Sequence, residues 1–259
     1  MSEKRKLSRK QKEKLYNSVV PIAEEFRKNV LKHNGPIKDT FDTLEQLGFF
    51  IVRFPAPEEL SGFYIKKNKY NCIFVNTNHT LGRQYYSAWH ECYHAYTGEV
   101  GSISLFKDIE YDEMEQKAEY FASLILMPEQ LISKYLRENG INNLQYISYN
   151  ELITMQSYFQ VSFRALLTRL IQLYPEKKKY LSRRYNLSRK EKHGELYNKT
   201  VEVGGDTSLI QPTREFIIPE RLYQLLHTNL ETDRISTKKA QSVLELIEVM
   251  ETKVNYEEH

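Results

Sequence analysis

Behind Ser8, the apolar residues Leu15, Val19, Ile22, Ala23, Phe26 and Val30 recur every three or four positions, the spacing of one buried helix face. Ser8 stands where an N-cap belongs, so this pattern predicts a helix running to about Lys32 and broken by Gly35-Pro36. A second helix is expected over residues 39–47, ending at Gly48. The run Phe49-Phe50-Ile51-Val52 is apolar without helical gaps and short enough for a strand, and Pro55 and Pro57 mark a loop after it. Residues 62–66 and 71–75 read as a hairpin around the polar turn Lys67-Asn68-Lys69. Behind Thr80 the helical period returns in Tyr85, Trp89, Cys92 and Tyr96. Residues 98–112 read as a loop or lid. Ala118, Phe121, Ala122, Leu124, Ile125 and Leu126 then form a strongly apolar helix that Pro128 ends. Leu131, Ile132, Tyr135 and Leu136 belong to a further helix. Residues 151–159 and 163–174 read as helix, short turn, helix, with Ser162 capping the second.

After Pro175 the pattern weakens into a basic, then polar region with Gly194, Gly204 and Gly205, which suggests a boundary. From Pro219 onward, Leu222, Leu225 and Leu226, then Ala240, Val243, Leu244, Ile247 and Met250, predict a small helical hairpin. Its stripe suits a core or a docking face.

Composition narrows the picture modestly. At 259 residues and 41% hydrophobic, the chain can bury a core in one large domain or two small ones. No apolar run approaches the ~20 residues of a membrane span, and no secretory signal follows Met-Ser-Glu-Lys-Arg-Lys. The only cysteines, Cys72 and Cys92, make no disulfide framework, so a reducing cytoplasm and buried thiols are expected. A net charge of +3 does not by itself argue for nucleic acid. The charge is uneven, though: residues 4–14 carry seven Lys or Arg against one Glu, residues 176–192 eight against two, and residues 108–119 six acids against one Lys.

Candidate chemistry lies in His90-Glu91-Cys92-Tyr93-His94, an H-E-x-x-H sequence. On a helix the two imidazoles share one face, one turn apart, and can hold one metal ion. Glu91 lies beside them, placed to take a proton from a metal-activated water. That arrangement suits zinc-dependent peptide hydrolysis. A catalytic zinc needs a third protein ligand and an open position. Glu115 and Glu119, one turn apart on the apolar helix, are the candidates. Glu115 is the simpler ligand, and Glu119 an acceptor for a histidine ring N–H that fixes its tautomer. The alternative is that both are ordinary surface glutamates. Two His and one Glu suit zinc, with manganese or iron as other options.

The chain resembles the ImmA/IrrE-type metallopeptidases over roughly residues 15–175. The resemblance rests on Ser61-Gly62-Phe63, Ile73-Phe74-Val75-Asn76, Arg83-Gln84, Trp89 to His94, and Glu115 to Pro128. Glu119 departs from the family's usual Asn or Asp, and Tyr93 from its frequent Gly. The resemblance implies a cytoplasmic bacterial or phage zinc endopeptidase that cuts an XRE-type helix-turn-helix repressor and releases stress, mobile-element or defence genes. It also implies that residues 148–174 are the helix-turn-helix-like segment following the zinc domain. There, only Arg164, Thr168, Arg169 and Gln172 are available to read DNA, and packing is the favoured role.

The expected fold is therefore α+β and mainly helical. A small antiparallel sheet packs on the zinc-peptidase helices, followed by helix-turn-helix-like helices and a C-terminal helical module. The expected divisions are residues 1–140, 141–175 and 176–259. The expected roles are His90, His94 and Glu115 as zinc ligands, Glu91 as general base and Glu119 behind them. The expected partners are a repressor substrate and a nucleic-acid activator, with no membrane. The rival reading is a DNA-binding or regulatory protein with a non-proteolytic zinc site, for which Glu91 would be superfluous.

Overall fold

The computed structural model describes residues 7–98 and 109–256, with side chains over 7–98 and 113–254. Helix α1 (Arg9–Glu25) opens on a reciprocal cap: Ser8 Oγ accepts the Gln11 N–H, and Gln11 accepts the Ser8 N–H. Leu15, Val19 and Ala23 form its buried stripe. A wider π-helical turn, Phe26–Leu31, continues it and stops at Lys32 in the left-handed conformation. Helix α2 (Thr40–Gln46) is capped by Asp39, and strands β1 (Phe49–Phe54), β2 (Gly62–Lys67) and β3 (Tyr70–Asn76) follow.

The sheet has the order β1-β3-β2. The hairpin β2/β3 is antiparallel, as its short polar turn requires, but β1 joins β3 in parallel. The sheet is thus mixed rather than wholly antiparallel. Two well-separated strands with a loop and a strand between them have the chain length for a parallel crossover, and only neighbours joined by a tight turn are held antiparallel. The outer edge of β1 is covered by Ile217, which exchanges both backbone hydrogen bonds with Arg53 at 2.9 and 2.7 Å. The outer edge of β2 has no strand against it among the described residues.

Helix α3 (Leu81–Thr97) lies on β2 and β3, α4 (Ile109–Leu126) packs on α3, and α1 packs on α4. Between them sits an aromatic core. Phe26 meets Trp89 and Phe121 edge-on at centroid distances of 6.1 and 5.3 Å, and Trp89 Nε1 donates to Thr40 Oγ1 at 3.0 Å. That bond satisfies the one polar atom of a fully buried indole. Two buried arginines close the far end of α4. Arg27 donates to Ile125 O, and Arg169 Nε to Met127 O at 3.0 Å. The last turn of α4 carries no basic residue of its own. These cations from elsewhere therefore complement the negative end of its dipole. Burial lowers Arg27 to about 10, which still leaves it charged at neutral pH.

Helix α5 (Glu129–Glu138) begins at Pro128, and α6 (Tyr149–Phe159) and α7 (Phe163–Leu173) form the expected pair, turning at left-handed Gln160. Packing continues past Pro175. Helices α8 (Lys178–Arg184) and α9 (His193–Glu202) were not legible in the sequence. Their Leu181 and Leu196, with Leu187, Leu209 and Ile210, enter the same core cluster. The change of composition at residue 176 marks a change of surface, not an end of the core. The packing thins only at α10 (Glu220–Glu231), which buries no residue, and α11 (Thr237–Tyr256), where Ala240 alone is buried among the described side chains. Among the described residues, no helix is long and apolar enough to cross a membrane.

Candidate metal centre

Helix α3 sets His90 and His94 on one face, one turn apart, and α4 brings Glu115 across to them. His90 Nε2 lies 3.1 Å from Glu115 Oε2, His94 Nε2 lies 3.5 Å from Glu115 Oε1, and the two Nε2 atoms are 3.3 Å apart. Ligand atoms ~2.0–2.1 Å from a tetrahedral zinc are separated by ~3.3 Å, so this triangle of neutral-imidazole nitrogens and carboxylate oxygen fits such an ion. It is the one His/Cys/Asp/Glu cluster of metal-binding shape among the described residues. Both imidazoles are largely buried, while Glu115 is 33% exposed, so the site opens on the Glu115 side.

Charge in the cluster is balanced by protons. Burial alone would lower His90, but the hydrogen bond to Glu115 and the charges of Glu91, Glu115 and Glu119 outweigh it and raise its pKa. Burial alone would raise Glu115, and the two histidines outweigh it in the other direction. A divalent cation would take over the neutralising role and release the proton.

Glu91, next to His90 on α3, reaches β2 of the sheet. Burial pushes its carboxyl up to about 7, with the charge of Glu115 adding to the effect. The charge of His90 and the Tyr64 backbone N–H, which donates to it, pull in the opposite direction. Ser61 accepts the Asn76 N–H at 3.1 Å. Residues of one strand alternate inward and outward in an antiparallel ladder, so Gly62 and Tyr64 turn their backbone groups to the open edge of β2. The carboxylate therefore sits against the outer edge of β2, where it accepts the Tyr64 N–H, within electrostatic reach of His90 and Glu115. Gly62 is required by the sheet rather than by Glu91: a Cβ there would stand 2.7 Å from Phe74 O but in ordinary contact, at 3.5 Å, with Glu91 Cγ.

Other sequence expectations land as follows. Glu119 is exposed, and its carboxylate accepts the Tyr86 hydroxyl at 3.3 Å; no bond from it to a histidine ring is among the described hydrogen bonds. It still acts electrostatically on His90. Cys92 is fully buried, its thiol pKa raised by burial, and it takes no part in the cluster. The lid expected over residues 98–112 lies outside the described residues apart from Gly98 and the backbone of the first turn of α4. Sequence reasoning missed Tyr64, whose contribution is a backbone N–H and carries no side-chain signal. It quoted Asn76 without a role. That side chain accepts the Ala56 and Asn78 N–H groups and donates to Ala56 O, Pro57 O and Leu60 O, which fixes the loop leading into β2.

A family model described as the IrrE N-terminal-like domain, a peptidase family, matches residues 44–171. The chain belongs to the ImmA/IrrE family. No protein of curated function matches the sequence. The match contains all of α3 and α4, and with them the metal triangle and Glu91. It ends inside α7. In this ImmA/IrrE chain that helix is a packing element on the face where DNA contacts were considered. Arg169 is fully buried and bonded to Met127 O, Tyr16 Oη and Gln172 Oε1, and Thr168 bonds to Arg164 O and Tyr185 Oη.

Proposed function

We propose that the protein is a zinc-dependent endopeptidase acting on an extended stretch of a protein substrate. The observation that carries this is the position of Glu91, a partly buried carboxylate that feels the charges of His90 and Glu115 in the His90/His94/Glu115 triangle and bonds to Tyr64 on the outer edge of β2. His90, His94 and Glu115 would hold the zinc. When bound, the ion would supply Lewis acidity to the scissile carbonyl and to the attacking water. A substrate segment adds to β2 as a further strand and is held by backbone hydrogen bonds, which bring its carbonyls past the triangle. Glu91 takes a proton from the attacking water on its carboxylate and returns it to the leaving amine, a cycle that a pKa near 7 suits. A purely structural metal site has no use for a base so placed, which disfavours the non-proteolytic reading.

The family resemblance makes an XRE-type helix-turn-helix repressor the proposed substrate, cut in the cytoplasm to release stress, mobile-element or defence genes. The test is co-incubation of the zinc-loaded protein with a repressor encoded beside it. Cleavage at one short segment that the Glu91→Gln variant cannot perform is the expected result. An intact repressor alongside digested casein would overturn the narrow-substrate reading. No hydrolysis of either by a zinc-loaded protein would overturn the enzymatic one.

A further inference from the structure

The start of α3, the end of that helix away from the metal triangle, lines a cavity of about 1250 Å³. Five cations line it, Arg83, Arg164, Arg189, Lys190 and Arg214, against two carboxylates, Glu58 and Glu191. Only one opposite pair closes, Lys190 with Glu58 at 2.9 Å. Arg83 spends its guanidinium on Ser61 Oγ at 3.0 Å, and Arg164 lies over the Tyr185 ring. The side chains of Arg189 and Arg214 have no hydrogen bond or ion pair among the described residues.

The backbone adds to the same field. The first residues of three helices stand in the wall: Thr80 for α3, Ser162 for α7 and His193 for α9. No side chain caps α3 or α9, but backbone acceptors meet their first N–H groups: Leu81 donates to Gln211 O at 3.0 Å and His193 to Lys190 O, so these starts contribute their positive dipole ends. Also in the wall is His79, 4% exposed, which uses Nε2 on Glu58 O at 3.0 Å and leaves Nδ1 without a partner. Arg214 holds its position in a left-handed backbone conformation, φ 52°, unusual for a residue with a long side chain. Behind the wall, Phe163, Leu187 and Leu209 belong to the buried core and back the cavity without being exposed in it.

We infer that this cavity binds a phosphorylated small molecule of nucleotide size, its phosphate held by Arg189 and Arg214 in the positive field of the helix starts and its organic part in the remaining volume. The volume exceeds what a bare phosphate needs and is ample for an organic molecule, whose pockets span ~300–1,000 Å³. The site is separate from the metal triangle and does not depend on the protease reading. It is also not contained in the family-matched stretch: Leu187 to Arg214 and Val254 complete it from outside residues 44–171.

The experiment is calorimetric titration of the full-length protein with 5′-AMP, a weak metal chelator, alongside adenosine, inorganic phosphate and a short DNA strand with and without a 5′-phosphate. Saturable 5′-AMP binding that weakens with added salt is expected, with adenosine and inorganic phosphate at least tenfold weaker. Arg189→Gln should weaken it about tenfold. Arg214→Gly should do the same while keeping the left-handed backbone, and unchanged melting curves would show both variants folded. Equal binding of adenosine and 5′-AMP, no binding at millimolar 5′-AMP, or affinity unchanged in both folded variants would overturn the inference. Binding of the DNA strands alone would assign the cavity to nucleic acid and overturn the small-molecule reading.

Discussion

The two ends of α3 face opposite electrostatic worlds. Its last two turns present His90, Glu91 and His94 to a pocket where Glu115 and Glu119 add negative charge. Its first turn presents Arg83 to a cavity with four further cations. One straight helix of 17 residues, held by a buried Trp89 in its middle, keeps the two apart. The acidic end is assembled from two helices close in sequence, and a cation there completes it. The basic end is assembled from six segments spread between residues 55 and 254, and an anion there completes it. Complementarity of this kind gives each end its own ligand without either competing for the other's.

The largest effect should come from the acidic end. Glu91→Gln keeps the shape and removes the base, so cleavage should fall by ~10²–10⁴-fold while metal content, read by atomic absorption, stays near one ion per chain. His94→Ala and Glu115→Ala should each lose the metal, and Glu119→Ala should keep it. Metal lost from Glu119→Ala but retained by Glu115→Ala would exchange their roles.

A second effect is visible in pH. Glu91 rises from an ordinary carboxyl value of 4.5 to about 7 in the metal-free fold. Between those values the unfolded chain has released the proton and the folded chain still holds it. The metal-free protein should therefore lose stability as pH rises through that window, by on the order of 3 kcal/mol from this group. Glu91→Gln should flatten the loss, which thermal melts of chelator-treated protein at pH 5 and pH 8 would show. Parallel pH profiles for the two proteins would remove Glu91 as the cause.

Gly82 tests the other end. A Cβ there would meet Ser162 N at 2.6 Å and Val161 C at 2.7 Å, backbone atoms that cannot turn aside. Gly82→Ala should cost ~1–3 kcal/mol in denaturant unfolding and disturb the basic cavity before the metal triangle. Smallest of all, deletion of residues 237–259 should shift melting by only a few degrees, since Ala240 is the one buried residue among the described side chains of α11. A loss comparable to that of Gly82→Ala would show the helix to be part of the core.

This contrast also explains what could be read from the sequence. The metal triangle was legible because its code is local: two histidines one turn apart, then a glutamate on the next strongly apolar helix. The caps at Ser8 and Ser162, the hairpin around Asn68 and the break at Pro128 were legible for the same reason. The parallel placement of β1 was not, since pairing direction depends on what lies between strands far apart. Nor were α8 and α9, whose short apolar sets, Leu181 and Leu196 among many lysines and arginines, give little period to detect. The basic cavity was beyond reach. The run over residues 176–192 announced cations, but only packing shows that Arg189 and Lys190 meet Arg83 and Arg214.

The two arginines at the end of α4 bear on how far the metal-binding unit is portable. Arg27 and the Tyr16 hydroxyl that Arg169 grips both precede residue 44, where the family likeness begins. An excised piece spanning residues 44–171 would keep every candidate ligand and still leave Ile125 O and one side of Arg169 facing nothing. Kinship and mechanical self-sufficiency thus have different borders in this chain. Anyone transplanting the metal centre into another scaffold would have to carry α1 along as its brace.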